Sequence, residues 1–275
     1  MAKPLVSVTL ALLALAATAH AGVYDANVLA DNPRIYQRLN ELSGTTAFDI
    51  APLGGAQNGI YTNGPTLGVA GIPIGVFLGD TAVRLNGTNQ TVQILDSFNP
   101  TAYSLEMWVK ADAGSTTGRG LIVRTAGDPN GTWSHELRIT NTGQFQQYTY
   151  DGSLRWITGT TVVQPDTWYD VVATAINGGG MNLYVNGALE ATWPGPLGTL
   201  WTGGNQWLLG SHSGDGNGGP YTNFAGTLDE VAVYDYVLSP QDIAEHYQLG
   251  LAPEPATLTL LALGGLGLLR RRRKA

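Results

Sequence analysis

A chain of 275 residues without a single cysteine carries 21 acidic and 14 basic side chains, a net charge of −7. No disulfide can staple it, so its stability must come from a sizeable core or from bound ions. The acidic surplus argues against nucleic acid or anionic lipid as partners and leaves cations and neutral polymers.

The opening residues, MAKPLVSVTLALLALAATAHA, hold one lysine, an apolar run from Leu5 to Ala17, and small residues around Ala19-His20-Ala21. That order describes a secretory signal peptide, residues 1–21, cut after Ala21. Its apolar run is shorter than the roughly 20 residues that a bilayer span needs. Removing Lys3 and the five basic residues at the far end leaves 8 bases against 21 acids, a net charge of −13. Residues 22–250 are then long enough for one large β domain, which often runs about 200–250 residues.

Short runs rich in Val, Thr, Tyr and Trp fill the middle of the chain, separated by Gly and Asn turns. Period-two alternation marks SLEMWVKA (Leu105, Met107, Val109), HELRIT (Leu137, Ile139), FQQYTY, WYDVVATA (Val171, Ala173), MNLYVNG (Met181, Leu183, Val185), QWLLG and DEVAVYD (Val231, Val233) as strands. Hairpin turns are expected at Asn177–Gly180 and at Asn186-Gly187. Many short strands with regular turns describe an all-β, two-sheet antiparallel sandwich. Only the region after Leu238 reads as helix. In LSPQDIAEHYQLG, Ser239 is the N-cap, Pro240 the first helical residue, Asp242 an acid in the first turn, and Gly250 the stop.

At this point five blocks in order, RIYQRLNELSGTTAFD, GDTAVRLNGTNQTVQI, SLEMWVKAD, TWYDVVATAINGGGMNLYVNGALEATW and FAGTLDEVAVYDYVLSPQDIAEHY, resemble a laminin-G-like, concanavalin A-like jelly roll. The resemblance covers about Asn27 to Gly250. It implies two stacked antiparallel sheets, one of them concave, in a family whose members bind carbohydrate, protein or calcium and whose relatives include glycoside hydrolases.

The last segment, residues 251–275, joins Pro253-Glu254-Pro255 to an apolar run from Ala256 to Leu269 and the bases Arg270, Arg271, Arg272, Arg273 and Lys274. It resembles the PEP-CTERM sorting signal of Gram-negative envelope proteins, which a membrane protease of the exosortase type recognises and cuts. Physically, the prolines end regular structure, and the basic cluster holds its end on the cytoplasmic side. The apolar run spans about 21 Å at 1.5 Å per residue, short for a hydrocarbon core of about 30 Å. It therefore suits a transient stop; the competing reading is an ordinary C-terminal anchor that stays in the membrane.

Catalytic signatures are missing from the sequence. A retaining glycosidase needs two carboxylates about 5 Å apart, yet Glu106 is followed by Asp112 with an intervening Lys, and Glu136 stands alone. His135, His212 and His246 have no metal-ligand spacing, and His246 reads as a satisfied surface histidine of the terminal helix. No nucleophile elbow or phosphate loop is present. The expectation is a non-catalytic protein with no organic cofactor.

Asp229 stands out, because alternation in LDEVAVYD places it on the same face as Val231 and Val233, the core residues. A buried carboxylate costs several kcal/mol unless it is paired or bound to a cation. Either Asp229 holds a structural calcium ion, helped by Asp80, or it accepts backbone N–H bonds at a strand start. Tryptophan carries the case for carbohydrate, whose C–H faces stack on flat rings. Trp108 and Trp168 fall opposite the core positions of their strands and read as covers for a sheet. Trp133, Trp156 and Trp201 lie in or beside turns, and with Tyr150, Arg155 and Asp215 they form the expected binding surface. The sequence reading is thus an exported surface or matrix module for exopolysaccharide or another surface glycan; the alternatives are a structural or adhesion protein that binds other proteins, or a glycan hydrolase.

Overall fold

The computed structural model describes residues 23–52, 57–72, 80–126, 133–212 and 222–251. Six short strands come first: β1 (Ile35–Gln37), β2 (Thr46–Ala47), β3 (Gly59–Thr62), β4 (Thr66–Ala70), β5 (Thr81–Asn86) and β6 (Thr91–Leu95). The long β7 (Ala102–Ala111) leads into β8 (Arg119–Thr125), β9 (Trp133–Ile139), β10 (Gln144–Tyr150) and β11 (Leu154–Val162). Then follow β12 (Trp168–Ile176), β13 (Met181–Val185), β14 (Ala188–Trp193), β15 (Gln206–Leu209), β16 (Thr222–Asn223) and a second long strand, β17 (Ala225–Tyr234). Two helices complete the described residues: α1 at residues 23–30 and α2 (Pro240–Leu251).

The strands form two sheets. The first runs β14-β13-β12-β7-β17-β5-β4, with β1 added beside β17; the second runs β11-β10-β9-β8-β15-β6-β3-β2, with β16 added in parallel to β8. Long strands that are buried over most of their length, β7 and β17 among them, sit at the centre of the first sheet. The sheets press their inner faces together. Leu105, Met107, Val109, Val171, Ala173, Leu183 and Val233 from one side meet Ile122, Leu137, Ile139, Phe145, Trp207 and Leu209 from the other in one continuous core. Each large apolar side chain buried this way contributes about 1.5–3 kcal/mol. This is the expected all-β jelly-roll sandwich with a short C-terminal helix.

Local turn chemistry follows the sequence. Asn186 and Gly187 both take positive φ, 53° and 74°, and join β13 to β14 as a two-residue hairpin of the kind that matches strand twist. Ser239 Oγ accepts the Asp242 N–H at 3.2 Å while Asp242 Oδ2 accepts the Ser239 N–H at 3.3 Å, a reciprocal cap at the start of α2.

The outer face of the first sheet is covered. α1 and α2 lie on it and build a second apolar cluster from Tyr24, Val28, Tyr36, Trp108, Val172, Tyr184, Ala232, Tyr234, Leu238 and Ile243. Trp108 does serve as a cover residue: its ring stacks on Tyr247 at 5.9 Å and its indole N–H donates to the Tyr24 hydroxyl at 3.0 Å. Trp168 lies partly buried beside the same cluster, under the Lys110 ammonium at 4.8 Å.

Four expectations are corrected here. Helix is not confined to the end of the chain: residues 23–30 form α1, whose buried Tyr24 and Val28 lie four apart and so on one helical face. Gly250 does not stop α2, which runs to Leu251; a Cβ at Gly250 would strike the Trp108 ring, so glycine is there for close approach. His246 is not a surface residue but fully buried. Asp229, finally, does not share a face with Val231 and Val233. A bulge between Asp229 and Ala232 inserts Glu230 in a left-handed conformation (φ 49°), and a one-residue insertion reverses every later side chain. Leu228 points into the core, whereas Asp229, paired with Trp108, belongs to the outer face.

Candidate functional site

Strands β9, β10 and β11 close one flank of the second sheet, and their registers align two rows on its outer face. Trp156 pairs with Tyr148 and Tyr148 with Glu136, while Thr158 pairs with Gln146 and Gln146 with Arg138. The Tyr148 and Trp156 rings stack at 5.5 Å with an interplanar angle of 10°, and Trp133 joins them, tilted, 5.2 Å from Tyr148. The Arg138 guanidinium lies over the Tyr148 ring at 4.2 Å. Its Nε donates to Gln146 Oε1 at 2.8 Å, and Gln146 Nε2 donates in turn to Thr158 Oγ1 at 2.7 Å. Arg138 Nη1 is 3.5 Å from Glu136 Oε2. The result is an aromatic shelf with a fixed cation and amide beside it. Trp156 keeps 50% of its surface exposed, although a large aromatic ring normally gains by burial.

The residues expected to bind ligand divide accordingly. Trp133 and Trp156 come together through Tyr148. Tyr150 ends the same strand, and its carbonyl accepts the Trp201 N–H at 3.0 Å, so those two sit side by side at the end of β10. Arg155 faces away from the shelf: it pairs with Asp151 at 3.1 Å and lies over the Trp193 ring of β14 at 5.4 Å. Adjacent strand residues point to opposite faces, so Arg155 and Trp156 cannot share one. Asp215 lies outside the described residues, as do Pro253, Glu254, Pro255 and Arg270 to Arg273. Tyr148, Arg138, Gln146 and Thr158 were missed. Their signal was present in the alternation of FQQYTY, where Gln146 and Tyr148 fall opposite the core residue Phe145.

A second polar group lies across the molecule, on the outer side of the first sheet. Arg38, just past β1, pairs with Asp25 of α1 at 2.7 Å, Asp80 at 3.0 Å and Glu230 at 3.0 Å. The Tyr36 hydroxyl donates to Glu230. Asp229 accepts the Ile72 N–H through Oδ2 at 2.8 Å, leaving its Oδ1 buried without a hydrogen-bond partner; Asp80 Oδ2 and Asp25 Oδ1 are in the same condition. Carboxylate oxygens of Asp80, Asp229 and Glu230 lie within 4.8 Å of one another. Burial raises the pKa of all three, and neighbouring acids push Asp229 further; Asp25 is raised by burial to about 6. Asp229 and Asp80 are therefore close, with Glu230 completing the group. An oxygen-only donor set of this charge fits a hard divalent cation.

A third cluster fastens the two helices. His246 Nδ1 is 3.0 Å from Glu106 Oε1 on β7, its Nε2 is 3.1 Å from Asp31 Oδ2 at the end of α1, and the Tyr234 hydroxyl donates to Glu106 Oε2 at 3.0 Å. Burial works against charge on the imidazole, but Glu106, Asp31 and Asp170 prevail and hold its pKa at about 9. His135 is the opposite case. Enclosed between the sheets, with Nδ1 2.7 Å from Thr149 Oγ1, it is held down to about 3 by burial and by Arg124, and so stays neutral.

Two stacked antiparallel sheets with a shelf on one outer face define a lectin-type jelly roll. The family model described as concanavalin A-like lectin/glucanases superfamily, of the Laminin_G_3 type, matches residues 83–244, and the chain belongs to that family. A PEP-CTERM protein-sorting motif matches residues 251–274 and marks the chain for export and delivery to the bacterial envelope or surface. No curated protein matches. Among solved structures, the binding domain of Paraclostridial Mosquitocidal Protein 1 is similar with a TM-score of 0.59 and 14% identity, over 80% of this chain and 52% of that one. The ligand-binding domain of botulinum neurotoxin serotype D, in complex with N-acetylneuraminic acid, gives 0.56 and 15%, over 79% and 51%. The chain thus spans about half the length of these toxin domains. Domain 4 of AbnA, an extracellular arabinanase from Geobacillus stearothermophilus solved with arabinotriose, gives 0.48 and 20%, over 78% and 86%. Among the described residues no helix is long and apolar enough to cross a membrane.

Proposed function

We propose that this chain is a non-catalytic module, exported to the surface or matrix of a Gram-negative bacterium, that binds a polysaccharide on the outer face of its second sheet. The observation that carries this reading is the half-exposed Trp156 ring stacked on Tyr148, beside Trp133. Sugar C–H faces pack on such rings, and the exposed Thr158 hydroxyl beside them, held by the buried Gln146 and Arg138, offers a polar edge to a sugar. The rigidity of the shelf matters as much as its composition, because groups already held in place lose less entropy on binding. Two helices occupy the opposite face, whereas on the second sheet Trp156 and Thr158 of β11 meet solvent.

The acidic balance of the domain suits a neutral chain better than a polyanion. For catalysis the shelf offers little support. A glycosidase pair needs a second carboxylate about 5 Å from the first, and Glu136, held by Arg138, is the one acid that the described strands place on this face. Sorting by an exosortase-type protease would deliver the domain to the envelope, where exopolysaccharide is the glycan at hand. Affinity electrophoresis of the wild type and of Trp156→Ala through gels cast with matrix polysaccharides tests the reading. Retarded wild type and unretarded variant support it; equal mobility in every gel would overturn it.

A further inference from the structure

Helix α2 does more than close the fold, because the sorting motif begins where the helix ends. The motif starts at residue 251, and Leu251 is also the last residue of α2. Proline disfavours helix at the residue before it, so Pro253 limits α2 to Leu251. Only Ala252 separates the folded helix from Pro253-Glu254-Pro255, and the apolar run follows at once from Ala256. The end of α2 is nevertheless firmly seated. Gly250 is buried against Trp108, where a Cβ would come within 2.3 Å of the ring. Tyr247 stacks on the same ring at 5.9 Å and lies against the β13–β14 hairpin, where a Cβ on Gly187 would meet it at 3.1 Å. One turn earlier, His246 Nδ1 is 3.0 Å from Glu106 Oε1 and its Nε2 is 3.1 Å from Asp31 Oδ2. Asn27 Nδ2 of α1 donates to Glu245 Oε1 at 3.1 Å.

We propose that the seated end of α2 must leave the sandwich before the sorting protease can cut, so that the hold of His246 on Glu106 and Asp31 sets the rate at which the domain is released from its tail. The proposal rests on the tail being a cleaved signal rather than a lasting anchor, and it does not depend on what the aromatic shelf binds. While the apolar run is held in the membrane, the residues Ala252 to Pro255 are all the free chain there is, and fully extended they reach about 14 Å. That is little for a protease to grip between a bilayer and a folded domain. Each residue that leaves the helix exchanges a rise of about 1.5 Å for about 3.4 Å of extended chain. Freeing Gln248 to Leu251 therefore doubles the number of accessible residues, and His246 guards the turn just before them. A protease acts on the locally opened fraction, and where opening is fast relative to cleavage the rate follows the free energy of opening. The cut itself is the protease's chemistry: the peptide bond breaks, water or an amine takes the acyl group, and the proton it gives up leaves with the amino end of the tail.

The test is pulse-chase labelling of the full-length chain, expressed with an exosortase-type protease, with the rate of tail loss as the readout. The wild type is compared with His246→Gln, with a form carrying a flexible Gly/Ser spacer of about eight residues between Leu251 and Ala252, and with the form that carries both changes. His246→Gln is cut about tenfold faster than the wild type. The spacer form is also cut faster, and adding His246→Gln to it changes nothing further. In the uncut chain at neutral pH, hydrogen exchange of residues 240–251 is faster in His246→Gln, while β7 and β12 keep their protection. Equal cutting of wild type and His246→Gln would overturn the proposal, as would a spacer form that stays as sensitive to the substitution as the native spacing. If His246→Gln loosens the whole sandwich, the spacer form decides, and cutting no faster than in the wild type overturns the proposal. No cut in any of the forms would overturn it together with the cleavage reading of the tail.

Discussion

His246 offers a sharp test of how the terminal helix is held. In the unfolded chain its imidazole has a pKa near 6.5, and in the fold about 9. A raised pKa means that the folded state binds the proton more tightly. The stabilisation is therefore present in full below pH 6.5 and is lost as pH rises through 9. A difference of about 2.5 units at 1.36 kcal/mol per unit corresponds to about 3 kcal/mol. His246→Gln removes the titration while leaving an amide to face Glu106. Asp31 and Asp170, raised by burial and lowered in turn by His246, shift up when the imidazole is removed, so the comparison reads the whole clasp rather than the imidazole alone. Urea unfolding at intervals from pH 5.5 to 10 gives the free energy of each protein. Wild-type stability falls relative to the variant by about 3 kcal/mol between pH 6.5 and 9.5, with a slope of up to one proton. Parallel curves across that range would refute the charged clasp.

Other substitutions test the packing and the shelf separately. Gly250→Ala drives a methyl group into the Trp108 ring; overpacking of this kind costs about 1–3 kcal/mol, and differential scanning calorimetry registers it as a Tm lower by several degrees. Trp156→Ala removes a ring that is already half exposed, so stability measured by urea unfolding changes by less than about 1 kcal/mol. Its affinity for polysaccharide, read by titration calorimetry, falls about tenfold, the equivalent of 1.4 kcal/mol. Tyr148→Ala, which unseats both Trp156 and Trp133, costs more affinity than Trp156→Ala does.

The sandwich was legible because alternation reports a half-buried strand directly, and the runs it marks fall in β7, β9, β10, β12, β13, β15 and β17. Alternation cannot register one inserted residue. Glu230 therefore passed as an ordinary strand position, and Asp229 was put on the wrong face, although its burial beside acids was read correctly. The helix α1 adjoins the expected cleavage site and buries only Tyr24 and Val28, four apart, too short a pattern to separate from a loop. In α2 the residues Ile243, His246 and Gly250 form the buried stripe, but histidine at a helix surface is so ordinary that its partners, Glu106 and Asp31, had to be seen in space. The shelf was half legible. Proximity to turns picked out Trp133 and Trp156, whereas Tyr148, the ring that joins them, sits in the regular interior of β10, where sequence alone cannot distinguish a platform from a covered face.

The most direct test of the central claim is a glycan array probed with the folded full-length protein, in calcium and again in chelator, alongside Trp156→Ala. Saturable binding to a defined polysaccharide, weakened in the variant and retained in chelator while the protein stays folded, is the predicted result, because the shelf and the acidic group occupy opposite sides of the sandwich. Silence on every glycan from folded protein, or binding that the variant leaves undiminished, would contradict it.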